Sequence, residues 1–494
     1  MKPNYEPLWK EITDYFTFSK EFKLTDSLFK ISNYKYTLED VYRGFLIYGQ
    51  TGSGKTSGSG KYIASNYLRL GFGGLVLCAK KDEAVFWEEL AKSNNRKKSI
   101  IRVSAKSKHR FNYVAFFKAI LSDYDEKTKN TLLANMFFMA IKNAGYGFSS
   151  SDSFWENALK QLIINIITIL NLSGEDIVPE NMYKLLISLP KSSEEGEEIL
   201  DFFYNDGEIE ENYLTKLLTK VENCYELDMS INYLCRDYAC LVDKTRSIIF
   251  TSLTSLLEEL RREPLRSHFQ GESNITPELI FSGAIIVIDY SVHEWQSIGK
   301  IVNNFWKYAF QIASQNRNNK RPCFLWADEA HYFLNSFDTE YQSTARSSCV
   351  STVYLTQNIS IQRSAFQSNN IKDHVTALTG NLCNIIFHRN NDPETNEYAI
   401  KLFGQYTKSK TKYKDKNLFF NPKEKIKKQI INLEDILKLK TGGKQNNYKV
   451  EGYILKPGKF IDRKTKVKFG QKRPVFGQKL AKLNYPFTDV SDKR

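Results

Sequence analysis

The sequence predicts an α/β fold, with a mainly parallel central sheet interrupted by an inserted all-α domain. Three observations carry this. Short apolar runs alternate with helical stretches near the start, as in RGFLIYG at Arg43–Gly49 and LVLCA at Leu75–Ala79. The alternation returns late in the chain, in AIIVID at Ala284–Asp289, CFLWAD at Cys323–Asp328, VSTVYL at Val350–Leu355 and NIIFH at Asn384–His388. Between the two, from about Phe111 to Phe269, apolar residues recur at helical period.

Taken in order, residues 1–40 read as a short helical or irregular lead-in. Residues 41–108 and 277–494 make the sheet domain, with 404–494 as its basic C-terminal segment. Residues 109–276 make the all-helical insertion. A helix is expected from about Lys55 to Leu70, broken by Gly71–Gly74, and a third strand at Ile100–Val103. Within the insertion, Phe154–Leu170, Tyr213–Val221 and Arg246–Arg262 have helical period. A long helix follows at about Glu294–Asn316, and a last strand at Tyr448–Leu455.

The bulk composition suits this plan. At 494 residues the chain exceeds one ordinary domain. Its 41% hydrophobic and 14% aromatic content excludes a disordered or fibrous chain. The net charge of +14 is unevenly placed: Gly404–Arg494 holds 25 Lys and Arg against 8 Asp and Glu. That excess is either a solvated tail or a surface for phosphate backbones. Seven cysteines without a C-x-x-C pattern, several in apolar runs, point to a reducing compartment and away from structural zinc. The first residues, MKPNYEPLWKEITDYF, lack an apolar core of the secretory kind. The longest apolar stretch, Leu162–Leu172, is too short for the roughly 18–20 residues of a membrane span. The expectation is a cytoplasmic chain with no intrinsic membrane span, recruited to the inner membrane only through a partner.

Gly49, Gln50, Thr51, Gly52, Ser53, Gly54, Lys55 and Thr56 fit G-x-x-x-x-G-K-[ST], between a strand and a helix, with Ser57 next in line. Glycines there let backbone N–H groups wrap around phosphate, and the helix N-terminus adds partial positive charge. Lys55 reaches the β- and γ-phosphates, and the Thr56 hydroxyl takes Mg²⁺. Asp328 and Glu329 end an apolar strand. The first carboxylate serves the metal, and the second orients and deprotonates water. The expected ligands are therefore ATP and Mg²⁺. Asp289 ends a similar strand but is followed by Tyr290, so it reads as structural. Gln357, at the end of the next strand, suits a γ-phosphate sensor. Arg346 precedes that strand and suits either a surface role or an arginine finger; Arg389 is a weaker candidate. Asp328–His331 also spells DEAH, which raises a helicase as a rival. Lys55 and Asp328 are too far apart in sequence for one compact helicase lobe, and no Ser-Ala-Thr or Q-R-x-G-R-x-G-R run follows. His331 therefore reads as incidental.

These motifs resemble the conjugative type IV secretion coupling ATPases, within the FtsK/HerA class of DNA pumps. The resemblance runs from about Tyr42 to Gly404 through LIYGQTGSGKTSG, GGLVLCAKKDE, DSFWENALKQLI, FLWADEAHYFL, TARSSCVSTVYLTQN and NDPETNEYAIKLFG. It implies a RecA-like P-loop domain carrying an all-α domain, assembled as a homo-hexamer around DNA. Relaxase or secretion-channel proteins are the implied further partners. By residue match it assigns Lys55 and Thr56 to phosphate and Mg²⁺, Asp328 and Glu329 to metal and water, Gln357 to sensing and Arg346 to a finger acting on the neighbouring subunit. Two departures stand out. The usual N-terminal transmembrane helices are missing. The usual Asp-x-Lys after the second strand is Cys78-Ala-Lys-Lys-Asp82, leaving Lys80 or Lys81 to serve. The implied function is an ATP-driven DNA translocase or coupling ATPase. The alternative is an ATP-gated DNA- or protein-binding adaptor that does not translocate.

Overall fold

The computed structural model describes residues 23–31, 34–146, 153–205, 207–366, 371–411, 423–457 and 475–476. Its strands in chain order are β1 (Ser27–Ile31), β2 (Tyr34–Thr37), β3 (Phe45–Tyr48), β4 (Gly73–Leu77), β5 (Ile100–Ser104), β6 (Ile285–Asp289), β7 (Cys323–Ala327), β8 (Val350–Thr356), β9 (Asn384–Phe387), β10 (Gln405–Thr411), β11 (Lys423–Gln429), β12 (Gly452–Leu455) and β13 (Val475–Phe476). Nine form one sheet, in the order β13-β12-β9-β3-β8-β7-β4-β6-β5. Every pairing from β9 to β5 is parallel. β12 closes the other side antiparallel to β9 and β13.

The central strands are apolar runs because both faces are covered. Every residue of FLIY in β3, CFLWA in β7 and VSTVYLT in β8 is buried. Successive side chains alternate between two cores. Phe45 and Ile47 join Ile63, Tyr67, Leu68 and Trp87 on one face. Leu46 and Tyr48 join the cluster that continues into the helices between β5 and β6, through Ile163, Ile166, Leu253 and Leu256. Helix Val292–Asn316 links the two regions, since its Phe305 ring lies 5.0 Å from Tyr113 and 6.0 Å from Phe137.

Between β5 and β6 every regular element among the described residues is helical, including Glu126–Ala144, Ser153–Leu172, Pro179–Ile187, Ser193–Asn205 and Asp243–Arg261. The lead-in differs from expectation. β1 and β2 form an antiparallel hairpin, followed by helix Leu38–Tyr42. That helix starts at a capping box, with Asp40 N–H donating to Thr37 Oγ1 at 3.2 Å and Thr37 N–H donating to Asp40 at 2.8 Å. Residues 1–22 lie outside the described part, as does most of the basic stretch beyond 457.

One buried ion pair ties helix Val292–Asn316 to helix Ser336–Thr344 beside β8. Lys307 Nζ lies 2.6 Å from Asp338, both fully buried, and the other Asp338 oxygen accepts from Gln311 and from the Tyr354 hydroxyl of β8. Lys307→Ala leaves that carboxylate without a cation. The expected loss is about 3–5 kcal/mol in chemical denaturation. A loss below about 1 kcal/mol would show that the surrounding hydrogen bonds suffice.

Candidate nucleotide site

The loop from Gly49 to Thr56 leaves the C-terminal end of β3, as a phosphate loop must. Gly49 is required by space, because a Cβ there would lie 2.4 Å from Ser53 Oγ and 2.9 Å from His388 Cβ. Gly52 and Gly54 have φ of +75° and +84°, which L side chains rarely adopt. The expected single helix is in two parts. Lys55–Gly60 coils as a wide π turn before regular helix begins at Lys61–Arg69. Gly58 and Gly60 weaken the first turns.

Residues remote in sequence converge at the loop. Thr56 Oγ1 donates to Asp328 Oδ2 at 2.5 Å. Lys55 Nζ donates to Glu329 Oε1 at 3.2 Å. Gln357 Nε2 lies 3.4 Å from Glu329 Oε2. Lys55, Asp328 and Glu329 are all nearly buried, at 5%, 3% and 4% exposure. Glu329 adopts a left-handed backbone, φ +51°, uncommon for a residue with a side chain. A cleft of about 480 Å³ opens over this cluster, lined among others by Thr51, Gly52, Gly54, Ser57, Phe86 and Tyr332.

The electrostatics follow from two lysines facing two carboxylates. Burial alone would raise the Glu329 pKa, but the Lys55 and Lys80 ammonium groups outweigh it and hold the carboxyl below its usual range. Lys80 donates to Glu329 Oε1 at 2.9 Å and lies 4.0 Å from Asp328 Oδ2. Burial works against its charge, yet Asp328 and Glu329 raise its pKa. Lys81 points elsewhere, pairing with Glu294 at 3.0 Å. Of the two candidate lysines after the second strand, Lys80 is therefore the one at the site.

The residues suit a magnesium-bound triphosphate. Among the described residues no three His, Cys, Asp or Glu side chains converge as a metal cage. Mg²⁺ does not need one, since it commonly takes one or two protein oxygens and completes its shell with phosphate and water. Thr56 and Asp328 offer such a pair. Ser53 Oγ and Gln50 Oε1 are buried in the loop without a protein partner.

The remaining residues singled out in the sequence fall as follows. His331, read from the sequence as incidental, lines the cleft, with Nδ1 3.8 Å from Glu329 Oε2. The bare motif gave no sign of this, because the turn Ala330–Tyr332 swings the ring back over the carboxylate. Arg346 does not reach this site. It pairs with Glu39 at 3.0 Å at the start of β8, while Gln357 lies beyond the other end. The seven residues of β8, at about 3.3 Å each, hold the two apart. Arg389 contributes its carbonyl, which accepts from Gln50 N–H at 3.1 Å. Asp289 pairs with Arg102 of β5 at 2.7 Å.

A further contact was invisible in the sequence. Val450 packs against the loop, so that a Cβ on Gly54 would lie 2.6 Å from its Cγ2, and one on Gly58 2.9 Å from Cγ1. Beside it, buried His388 joins Ser59 Oγ at 2.7 Å to the Glu451 carbonyl at 2.9 Å. A carbonyl only accepts, so Nδ1 carries the proton and Ser59 donates to Nε2. Burial pushes this imidazole down to about 4, so it stays neutral. The segment around Val450 thus braces the phosphate loop from behind.

Comparison with known proteins agrees with this fold. The family described as the TraM recognition site of TraD and TraG matches residues 322–441, which include Asp328, Glu329, Arg346 and Gln357. No curated protein matches the sequence. Among solved structures, the unbound monoclinic form of the bacterial conjugative coupling protein TrwBdeltaN70 superposes with a TM-score of 0.58 at 11% identity, covering 95% of this chain and 90% of that one. Plasmid coupling protein TrwB in complex with ADP and Mg²⁺ gives 0.58 at 12% identity, covering 92% and 89%. TrwB with a non-hydrolysable ATP analogue gives 0.57 at 12% identity, covering 95% and 91%. At such identity the likeness establishes the fold, an α/β RecA-like P-loop architecture. No helix among the described residues is long and apolar enough to cross a membrane.

Proposed function

We propose that this chain, similar to the conjugative coupling ATPases in fold and in the stretch 322–441, hydrolyses ATP with Mg²⁺ to move or recruit DNA or nucleoprotein. The observation that carries the proposal is the meeting of Thr56 with Asp328 and of Lys55 with Glu329, pairs 272 and 274 positions apart. TrwB, which shares the fold, has been solved with ADP and Mg²⁺. The division into a sheet domain (41–108 and 277–494) and a helical insertion (109–276) belongs to the same reading.

Gly49–Ser57 cradles the phosphates, and Lys55 turns from Glu329 to the β- and γ-phosphates. Thr56 and Asp328 would hold Mg²⁺, which would lend positive charge to the phosphate oxygens around the breaking bond. Glu329, freed of one of its two ammonium neighbours, becomes more basic as the triphosphate enters. It takes a proton from the attacking water as the new O–P bond forms and ADP departs with the old one. Gln357 reads the γ-phosphate from the end of β8. Arg346, too far to serve its own site, completes that of the next subunit in a hexameric ring. Its partner Glu39 holds it in place until then. The basic segment 404–494 binds DNA backbone with strong salt dependence and little sequence preference. The chain works in the cytoplasm, brought to the membrane by a partner of the relaxase or secretion-channel kind.

The test is the ATPase rate with and without DNA, alongside particle images. A pump gives rings and turnover stimulated at least about tenfold by DNA, with stimulation falling as salt rises. Slow, DNA-indifferent turnover by a monomer would instead make the chain an ATP-gated adaptor.

A further inference from the structure

His331 lies against the carboxylate but contributes nothing to the reaction as described so far. Its side chain is 13% exposed, and Nδ1 stands 3.8 Å from Glu329 Oε2. That distance is beyond a hydrogen bond, and Nδ1 is buried with no other partner in the protein. A polar atom left unpaired this close to an ionised oxygen needs only a small shift to find a partner. The ring is backed by Tyr332, 4.3 Å away between centroids. Tyr332 is steadied in turn by His293, whose Nε2 is 3.5 Å from its hydroxyl and whose backbone N–H donates to Ala79 O at 3.0 Å. This stack gives His331 a fixed seat beside Glu329.

The two carboxylate oxygens face different surroundings. Oε1 accepts from Lys55 and Lys80, while Oε2 meets Gln357 and the His331 ring. A carboxylate that must collect a proton from water has to be held by one oxygen and keep a lone pair open on the other, and Oε1, retaining Lys80 alone once Lys55 leaves, has one. We propose that His331 is a positioning residue for Glu329, its Nδ1–H closing on Oε2 when nucleotide draws Lys55 away, so that Oε1 is turned to the attacking water. A neutral imidazole suits this task better than a third lysine would. It donates one directed hydrogen bond without adding a full charge that would weaken the base further. Burial, the largest influence on this ring, keeps it toward its neutral form.

This inference rests on Glu329 being the water-activating carboxylate, and the experiment separates the two. His331→Ala, His331→Asn and His331→Gln are compared with Glu329→Gln for kcat, for KM and for equilibrium affinity toward a non-hydrolysable ATP analogue. The asparagine amide nitrogen falls near the place of Nδ1, whereas that of glutamine falls near Nε2. His331→Ala and His331→Gln should lose about 10- to 100-fold in kcat, with analogue affinity within about twofold of wild type. His331→Asn should recover most of the rate. Wild-type kcat in His331→Ala, equal impairment of Asn and Gln, or parallel loss of analogue affinity would each overturn the positioning role. Where His331→Ala fails to fold, the Asn–Gln contrast decides. Wild-type turnover in Glu329→Gln would instead overturn the reading of Glu329 itself.

Discussion

Lys55→Ala is expected to abolish nucleotide binding and hydrolysis together. Lys55 is the cation at the centre of the loop, nearly buried, with its ammonium 3.2 Å from Glu329. Its removal costs the triphosphate a desolvated charge-assisted contact worth about 3–5 kcal/mol, or about two to four orders of magnitude in affinity. It also leaves Glu329 with Lys80 as its remaining close ammonium partner. Calorimetric titration with ATP-Mg²⁺ and an assay of released phosphate measure both effects. Binding and turnover at wild-type levels would refute the phosphate-loop role.

Glu329→Gln should separate binding from chemistry. Glutamine keeps the shape of the side chain and can still meet Gln357, but it cannot accept the proton of the attacking water. Turnover should fall by about 10²–10⁴-fold. Affinity for ATP should hold or rise, because Lys55 loses the carboxylate that competes with phosphate for it. Phosphate release under single-turnover conditions, beside nucleotide retention on the protein, reads the two quantities independently. Turnover near wild type would remove Glu329 as the catalytic carboxylate and leave proton acceptance to another group.

The contrast between these two variants reflects how the site is built. Lys55 and Thr56 come from a loop whose glycines are legible in one glance at the sequence. So are Asp328 and Glu329, which end an apolar strand of a recognisable kind. The parallel sheet was readable for the same reason: strands buried on both faces leave continuous apolar runs such as FLIY and CFLWA.

Some elements outside the parallel sheet were not readable. The YKYT strand of the lead-in hairpin is four residues long, with too few positions to show an alternation. β10 and β11 are a polar, Lys-rich ribbon, paired over seven residues, whose composition resembles a loop. Val450 and His388 fall in runs read as strands, but nothing in those runs shows contact with the phosphate loop. Their roles depend on a β12 strand that returns beside β9, bringing Glu451 and Val450 to the back of the phosphate loop. Lys80 and Lys81 were equivalent in sequence, and only the path of the chain after β4 turns one inward and the other to solvent. His331 was set aside because its motif suggested a helicase, whereas its meaning lies in the turn that follows Glu329.

The central claim is that one magnesium ion joins the phosphate loop to the acidic end of β7. A crystal structure of the chain with a non-hydrolysable ATP analogue and Mn²⁺, phased so that the metal reveals itself by anomalous scattering, tests it most directly. The claim predicts one metal peak about 2 Å from Thr56 Oγ1, as for a Mg²⁺ ligand. The Asp328 carboxylate should lie in its first shell or one water away, with the triphosphate over Gly49–Ser57. A nucleotide bound elsewhere, or a metal that touches neither Thr56 nor Asp328, would contradict it.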